Sequence, residues 1–154
     1  MKERVKGWLA GIAYRLIVLF TLGKISPLLG AGIVIEQDGK VLMIERADGR
    51  GYTVPGGIVR AKETVEHCVV RETYEETGYQ VQITGLVGIY SSPGRDPRFR
   101  SVSIVYKGAL LGGSLRASQE GKPCWRAPAE VSGHLAFDSE VVLQDYLSGQ
   151  QRLF

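Results

Sequence analysis

The dipeptide Asp38-Gly39 separates two short apolar runs at residues 33–35 and 41–44. Asp-Gly readily adopts the positive backbone angles of a two-residue turn, so the two runs are predicted to pair as an antiparallel β-hairpin. Because an isolated hairpin is only marginally stable in water, it must join a larger sheet or pack against helices. A chain of 154 residues that is 44% hydrophobic has enough apolar side chains for one domain with its own core.

The remaining pattern predicts strands on both sides of a helix. Further strands are expected at residues 52–54, 81–90, 101–110 and 124–126, and helices at residues 63–77 and 138–147. Gly78 is expected to end the first of these helices and Asp138 to cap the second, while Gly112-Gly113 is expected to form a turn. This order of strands and helices places the chain in the α+β class.

Residues 1–30 are predicted to form an apolar or amphipathic helical extension to a domain at residues 31–154. The longest uncharged apolar run of the extension, residues 16–23, is shorter than the about 20 residues that a membrane-spanning helix needs. Arg15 interrupts the apolar segment and would be costly inside a bilayer. Pro27 is expected to end the helix.

Three roles for this helix remain open. In the first, it packs on the domain or on a second subunit, which would make the protein a homodimer. In the second, residues 1–24 lie on a membrane surface, helped by the basic start at Lys2, Arg4 and Lys6. In the third, the helix spans a membrane.

The charge balance argues against a nucleic-acid partner. The net charge is +3, from 19 basic and 16 acidic residues, and so small an excess does not predict a nucleic-acid surface. Cys68 and Cys124 form no CxxC pair. They are predicted to be reduced thiols, which indicates a cytoplasmic protein; a single disulfide bridge between them is the alternative. If the N-terminal helix takes its second role, the protein would also be associated with a membrane.

Three glutamates share one face of the first predicted helix. At about 100° per residue, Glu72, Glu75 and Glu76 fall within an arc of about 100°. Like charges at these spacings destabilise an isolated helix, so a hard divalent cation such as Mg²⁺ is a natural partner. Gly56 and Gly57 precede the helix and let the backbone approach a metal or a phosphate closely. The alternative is a solvated acidic face.

Residues 57–79 resemble the motif of the Nudix hydrolase family. That motif is a glycine, five residues, a glutamate, seven residues and then REUxEExGU, in which U is a bulky apolar residue. Its invariant positions are filled here by Gly57, Glu63, Arg71, Glu72, Glu75, Glu76 and Gly78. A looser similarity runs from about residue 31 to the C-terminus and leaves residues 1–30 outside it.

The resemblance implies an α/β/α sandwich around a mixed central sheet, in addition to the N-terminal helix. It implies hydrolysis of the diphosphate linkage of a nucleoside diphosphate derivative, a small-molecule substrate. Glu72 and Glu76 would be the main ligands of Mg²⁺, with Mn²⁺ as a substitute. Glu75 would be a further ligand, directly or through water, and the Gly56 carbonyl would complete the protein's side of the site. Such ions neutralise phosphate charge and lower the pKa of a bound water.

The resemblance also implies that Glu63 pairs with Arg71 and holds the preceding loop in register. The general base of relatives often comes from a later loop, which favours Glu120, with Glu63 and Glu75 as the alternatives. The predicted catalytic residues are therefore Glu63, Glu75, Glu76 and Glu120. Arg60 stands where relatives often carry glutamate, and this either removes a metal contact or adds a phosphate contact.

The loop at residues 90–100 resembles a segment of ADP-ribose pyrophosphatase-like Nudix proteins. Its Arg95, Arg98 and Arg100 offer guanidinium donors to phosphate; the alternative is that Arg95 and Asp96 only fasten the loop. ADP-ribose is therefore the preferred substrate. Nucleoside triphosphates and nucleotide sugars are alternatives, as is a module that binds a nucleotide without turnover.

Overall fold

The computed structural model describes residues 2–23 and 26–153. Its helices and strands are, in chain order, α1 (Lys2–Phe20), β1 (Leu28–Gln37), β2 (Lys40–Arg46), β3 (Tyr52–Thr53), β4 (Gly56–Ile58), α2 (Val65–Thr77), β5 (Tyr79–Tyr90), β6 (Ser101–Gly113), β7 (Gly121–Arg126), α3 (Pro128–Val131) and α4 (Ser139–Ser148). The predicted strands and helices are present with shifted ends, and β4 and α3 were not predicted.

The strands of the described residues form one mixed sheet. Its main path has the order β3-β2-β1-β6-β5, with β4 paired to β1 and β7 paired to β2. Strand β1 runs parallel to β6 and antiparallel to both β2 and β4. The short strand that leads towards α2 is therefore fixed beside the centre of the sheet.

Alternating side chains of β1 divide the core into two layers, because successive residues of a strand point to opposite faces. Ile33 and Ile35 are buried on the side of α2, in one cluster with Val69. Val34 is buried on the other side, in a second cluster with Val142 of α4. Helices thus cover both faces of the sheet, and the α+β class and the α/β/α sandwich are confirmed.

The predicted hairpin between β1 and β2 is confirmed. Asp38 and Gly39 have φ angles of 52° and 71°, and Gln37 pairs with Lys40 across the turn. Strand β1 starts at Leu28, where it already pairs with β6. Its first residues therefore owe their strand conformation to a partner that is distant in sequence.

The predicted turn at Gly112-Gly113 was wrong. Strand β6 continues through both glycines, which pair with Gln80 and Tyr79 at the start of β5. The first residues of β5, which follow the end of α2, offer backbone hydrogen bonds to both glycines. This strand pairing overrides the local preference of the two glycines for a turn. Strand β4 was missed because its three residues, two of them glycine, are too few to show alternation.

Helix α1 ends earlier than predicted. It stops at Phe20, and the next turn contains Leu22 and Gly23 at φ angles of 52° and 78°. The Gly23 N–H donates to the Val18 carbonyl over 2.8 Å, and a left-handed turn of this kind ends a helix. Pro27, the predicted stop, lies beyond it. Within the described ranges, no helix is long and apolar enough to cross a membrane.

Candidate active site

Helix α2 is capped at both ends. Thr64 Oγ1 accepts a hydrogen bond from the His67 N–H at 3.2 Å, so the helix starts at Val65 rather than at the predicted residue 63. Gly78 ends it in a left-handed conformation, with φ 79° and its N–H donating to the Tyr74 carbonyl, as predicted. These caps hold the glutamate-bearing turns of α2 beside β4.

Arg71 joins α2 to the loop that precedes it. Its Nη2 and Nε donate to the two carboxylate oxygens of Glu63 at 2.6 and 2.9 Å, and the Arg60 N–H donates to the same carboxylate at 2.7 Å. The Arg71 hydrogen bonds, followed by the Arg60 bond, lower the pKa of Glu63 to about 2. Glu63 is therefore an ionised anchor of the loop, and a poor proton acceptor at neutral pH.

Glu76 is a buried carboxylate at the end of α2. Only 5% of the residue is exposed, and its Oε2 accepts a hydrogen bond from the Gly56 N–H at 2.9 Å. Burial raises the pKa of Glu76 to about 8, and the charges of Glu120 and Glu72 add to the rise, while the Gly56 bond opposes it. Three carboxylates close enough to repel one another would be stabilised by a cation.

Glu72 lies against the backbone of Gly57. A Cβ atom at residue 57 would lie 2.5 Å from Glu72 Oε1, so only glycine permits this approach. Arg71 also contacts Glu72, because its Nη1 donates to Glu72 Oε1 at 2.6 Å. The glycine pair therefore allows the backbone of β4 to lie directly against the acidic face of α2.

A cleft of about 440 Å³ opens beside this acidic face. The predicted site residues that line it are Gly56, Gly57, Glu72, Glu76, Arg95, Arg98 and Glu120. Of the remaining described site residues, Glu63, Arg71, Glu75, Gly78 and Arg100 do not line it. The cleft thus brings carboxylates from α2 together with Glu120, which precedes β7, and with two arginines of the loop between β5 and β6.

Glu75 has a different environment from its two neighbours on α2. Its side chain is 48% exposed and lies 3.2 Å from Arg71 Nη1 and 3.5 Å from Arg60 Nη2. Arg60, for which the sequence left a metal and a phosphate role open, is thus an ion-pair partner of Glu75. Exposed pairs of this kind contribute little to stability.

Arg95 fastens the loop between β5 and β6 to the start of α4. Its Nε donates to Asp138 Oδ2 at 2.6 Å, and its Nη1 donates to the Tyr90 carbonyl. Asp138 occupies the predicted N-cap position of α4, but its side chain makes no capping hydrogen bond. Its carboxylate is used by Arg95 instead.

Arg98 reaches the cleft from the same loop. Its Nη2 donates to Asp96 Oδ2 at 2.6 Å, and its guanidinium lies 4.8 Å from the centre of the Phe137 ring. Arg100 turns back to the backbone and donates to the Ser101 carbonyl at 3.0 Å. The loop arginines therefore fasten the loop, and two of them also present cationic groups to the cleft.

Helix α1 packs behind this loop, which is one of the placements that the sequence left open, although no motif indicated the residues in contact. A Cβ atom at Gly11 would lie 3.2 Å from the Arg98 carbonyl oxygen. The Tyr14 hydroxyl donates to the Arg100 carbonyl at 3.2 Å, and the Tyr14 and Phe99 rings meet edge to face with centroids 5.7 Å apart. The inward side of α1 thus supports the segment that carries Arg98.

Arg46 is a cleft residue that sequence reasoning missed. It stands at the end of β2, lines the cleft and places its guanidinium 4.8 Å from the centre of the Phe137 ring. Its Nη2 also pairs with Asp48 at 2.7 Å. No motif spacing marks Arg46, because the pairing of β2 with β1 and β7 brings it to the cleft.

The oxygen donors around Gly56 suit a hard divalent cation. Glu72 and Glu76 supply carboxylates and the β4 backbone lies against them, which fits an ion that keeps several of its waters. Among the described residues, no group of three or more His, Cys, Asp or Glu side chains is already arranged to hold a metal ion. Arg71 and Arg60 instead balance the charges of Glu72 and Glu75.

Comparisons with known proteins agree with this architecture. The model of the NUDIX domain matches residues 27–146. The ADP-ribose pyrophosphatase of Methanocaldococcus jannaschii is 40% identical over 126 residues, which cover 80% of this chain and 75% of that protein. A solved Nudix hydrolase of Nitrosomonas europaea has a TM-score of 0.73 at 22% identity, over 82% of this chain and 93% of that chain.

A second solved structure, a bifunctional NMN adenylyltransferase/ADP ribose pyrophosphatase of Francisella tularensis complexed with AMP and a manganese ion, has a TM-score of 0.74 at 17% identity. The match covers 96% of this chain and 48% of that chain. The fold and the carboxylate helix thus define an enzyme that hydrolyses diphosphate bonds. The chain belongs to the Nudix hydrolase family.

Proposed function

We propose that this enzyme uses Mg²⁺, or Mn²⁺ in its place, to hydrolyse the diphosphate linkage of ADP-ribose. The observation that carries the proposal is a single cleft with carboxylates on one helix and arginines on a facing loop. A diphosphate needs both, because a cation held by carboxylates and the guanidinium groups together neutralise its oxygens. The 40% identity to an ADP-ribose pyrophosphatase favours ADP-ribose within this class.

Glu72, Glu76 and the Gly56 carbonyl are the proposed metal ligands. A bound Mg²⁺ would neutralise phosphate oxygens and lower the pKa of a coordinated water. Glu76 is held by the Gly56 N–H, which orients its carboxylate towards the cleft. Glu75, which is paired with Arg60 and Arg71, contributes through water rather than directly.

Glu120 is the proposed general base. It lines the cleft and is close enough to Glu76 to raise that group's pKa. Of the two alternatives, Glu63 is held by Arg71 with its pKa lowered to about 2, and Glu75 lies outside the cleft lining. A base must reach the attacking water, and Glu120 meets this condition best.

Arg95 and Arg98 are the proposed phosphate-binding residues, while Arg100 acts through the backbone of the loop. Both cleft arginines already hold carboxylates of Asp138 and Asp96, which fixes their guanidinium planes. Phe99 also lines the cleft and offers an aromatic ring to a base.

A substrate panel tests the proposal. ADP-ribose, a nucleotide sugar and a nucleoside triphosphate are compared as substrates with Mg²⁺ and with EDTA. We expect the highest kcat/KM for ADP-ribose, release of AMP and ribose 5-phosphate, and no turnover in EDTA. Glu76→Gln should lower kcat by about 10²-fold or more, whereas Glu45→Gln, at an exposed glutamate of β2, should not. A higher kcat/KM for another substrate, or nucleotide binding without turnover, would contradict the assignment.

We also propose a reducing, cytoplasmic location and a catalytic unit that follows an N-terminal extension. Because β1 begins at Leu28 and pairs there with β6, the boundary lies before residue 28 rather than at the predicted residue 31. Both cysteines are free, which supports the first part. Burial raises the pKa of the Cys68 thiol to about 12, so this thiol is unreactive.

A further inference from the structure

Helix α1 presents a broad apolar face that no described residue of the chain covers. Its inward side contacts the loop between β5 and β6 through Gly11 and Tyr14. The large apolar side chains that α1 leaves exposed are Val5, Trp8, Leu9, Ile12, Leu16, Ile17, Leu19 and Phe20. At about 100° per residue, these positions fall within an arc of about 180°. A contiguous apolar stripe of this kind marks an interaction surface.

The exposure of this stripe is large. Phe20 is 84% exposed, Leu19 69% and Trp8 66%. Transfer of such side chains from water into an apolar phase is favourable, because it lowers the free energy of the system. The helix is too short or too polar to cross a bilayer, so in a lipid setting it would lie along the surface with the stripe turned towards the acyl chains.

The net positive charge of the same segment favours a negatively charged partner. Residues 1–24 contain five basic residues and one acidic residue, whereas the rest of the chain contains 14 basic and 15 acidic residues. The positive charge of the protein is therefore concentrated at the segment that carries the stripe, and exposed Arg15 lies at the edge of the stripe. A second copy docking through this face would bring two such basic segments together, whereas an anionic lipid surface attracts them.

We propose that the outward face of α1 docks on a membrane surface containing anionic lipids, with the helix parallel to that surface. The inference is independent of the substrate and of the catalytic proposal. Because the inward side of α1 stays in contact with the loop of Arg98, the docked helix would hold the cleft close to the membrane.

Vesicle co-sedimentation of the full chain tests this proposal. Vesicles of phosphatidylcholine alone are compared with vesicles that contain about 30% phosphatidylserine. We expect at least about tenfold stronger partitioning to the anionic vesicles, and a loss of this difference at about 0.5 M salt. Trp8 fluorescence should shift to the blue on binding when Trp125→Phe removes the other tryptophan.

Matched variants separate the stripe from apolar exposure elsewhere. Leu9 and Leu16 are 53% and 51% exposed in the stripe, and Leu115 and Leu147 are 43% and 53% exposed outside α1. Leu9→Gln with Leu16→Gln should weaken vesicle binding by at least about tenfold, and Leu115→Gln with Leu147→Gln should leave it unchanged. Thermal unfolding checks that both variants remain folded.

Three outcomes would overturn the proposal. One is the absence of binding to either vesicle, and another is equal binding to neutral and anionic vesicles. The third is concentration-dependent dimerisation in sedimentation velocity that the stripe variant abolishes while vesicles remain unbound, which would make a second copy the occupant.

Discussion

The backbone N–H of Gly56 donates to Glu76 Oε2 over 2.9 Å and so joins the first residue of β4 to the last turn of α2. Since β4 pairs with the central strand β1, this bond fixes a buried carboxylate relative to the whole sheet. Glu76 keeps that position although burial and neighbouring carboxylates oppose its charge. The titration of Glu76 should therefore make the stability of the protein depend on pH, and this dependence can be measured without substrate.

In EDTA, wild-type protein should become less stable as the pH rises from about 4.5 to 8. The pKa of Glu76 in the folded state is about 8, above its ordinary value of 4.5, so the folded state binds more protons than the unfolded state across this window. Stability then falls with rising pH and levels off above pH 8. Thermal unfolding at several pH values, with Glu76→Gln beside wild type, measures the effect.

The Glu76→Gln variant should lose less stability over that window, because glutamine does not titrate. At pH 8, Mg²⁺ should stabilise wild type more than the variant, because a ligand that binds the folded state raises the free energy of unfolding. Parallel pH curves for the two proteins would show that Glu76 is not the group responsible.

Substitution of Glu120 tests the general base. Glu120→Gln should lower kcat by about 10²- to 10⁴-fold with a smaller effect on KM, since the amide cannot accept the proton of the attacking water. Steady-state kinetics compare Glu120→Gln with the control variant Glu45→Gln. Glu45 is an exposed glutamate of β2 that lies opposite Lys122 of β7. Equal kcat values in wild type and Glu120→Gln would exclude this role.

A methyl group at Gly57 should disturb the acidic face of α2. The added Cβ would meet Glu72 Oε1 at 2.5 Å, so Gly57→Ala should displace the Glu72 carboxylate and raise the Mg²⁺ concentration needed for half-maximal activity. Gly112→Ala is the control, because a Cβ there meets nothing within 4 Å. Unaltered metal dependence of Gly57→Ala would show that the Glu72 position does not matter for the metal.

A larger side chain on the inward face of α1 should displace the loop between β5 and β6. Gly11→Leu would press on the Arg98 backbone, which a Cβ already approaches at 3.2 Å, and should raise KM for ADP-ribose more than it lowers kcat. Ala13→Leu, at an exposed position of the same helix, should leave both constants unchanged. If the two variants behave alike, the contact between α1 and the loop has no part in substrate binding.

Local signals predicted much of this structure. The Asp38-Gly39 turn and the Gly78 helix end depend on backbone angles that the residues themselves favour. The shared face of Glu72 and Glu76 follows from helical spacing. These features need no information from distant parts of the chain.

Features that depend on distant partners were not predictable in the same way. The carboxylate of Asp138, the N-cap residue of α4, binds Arg95, 43 residues away, and makes no capping hydrogen bond. The inward face of α1 supports Arg98 through Gly11, although no spacing in the sequence connects them. Arg46 reaches the cleft only because β2 lies between β1 and β7. In each case a tertiary contact determines the position of the side chain, and the local sequence does not.

The position of the metal ion tests the central claim most directly. Crystals of the full chain are soaked with Mn²⁺ and a non-hydrolysable ADP-ribose analogue, and anomalous diffraction locates the ion. We predict an ion coordinated by Glu72, Glu76 and the Gly56 carbonyl, with the diphosphate between it and Arg98. An empty cleft, with the Glu72 carboxylate still paired to Arg71 and the analogue bound elsewhere, would contradict the account.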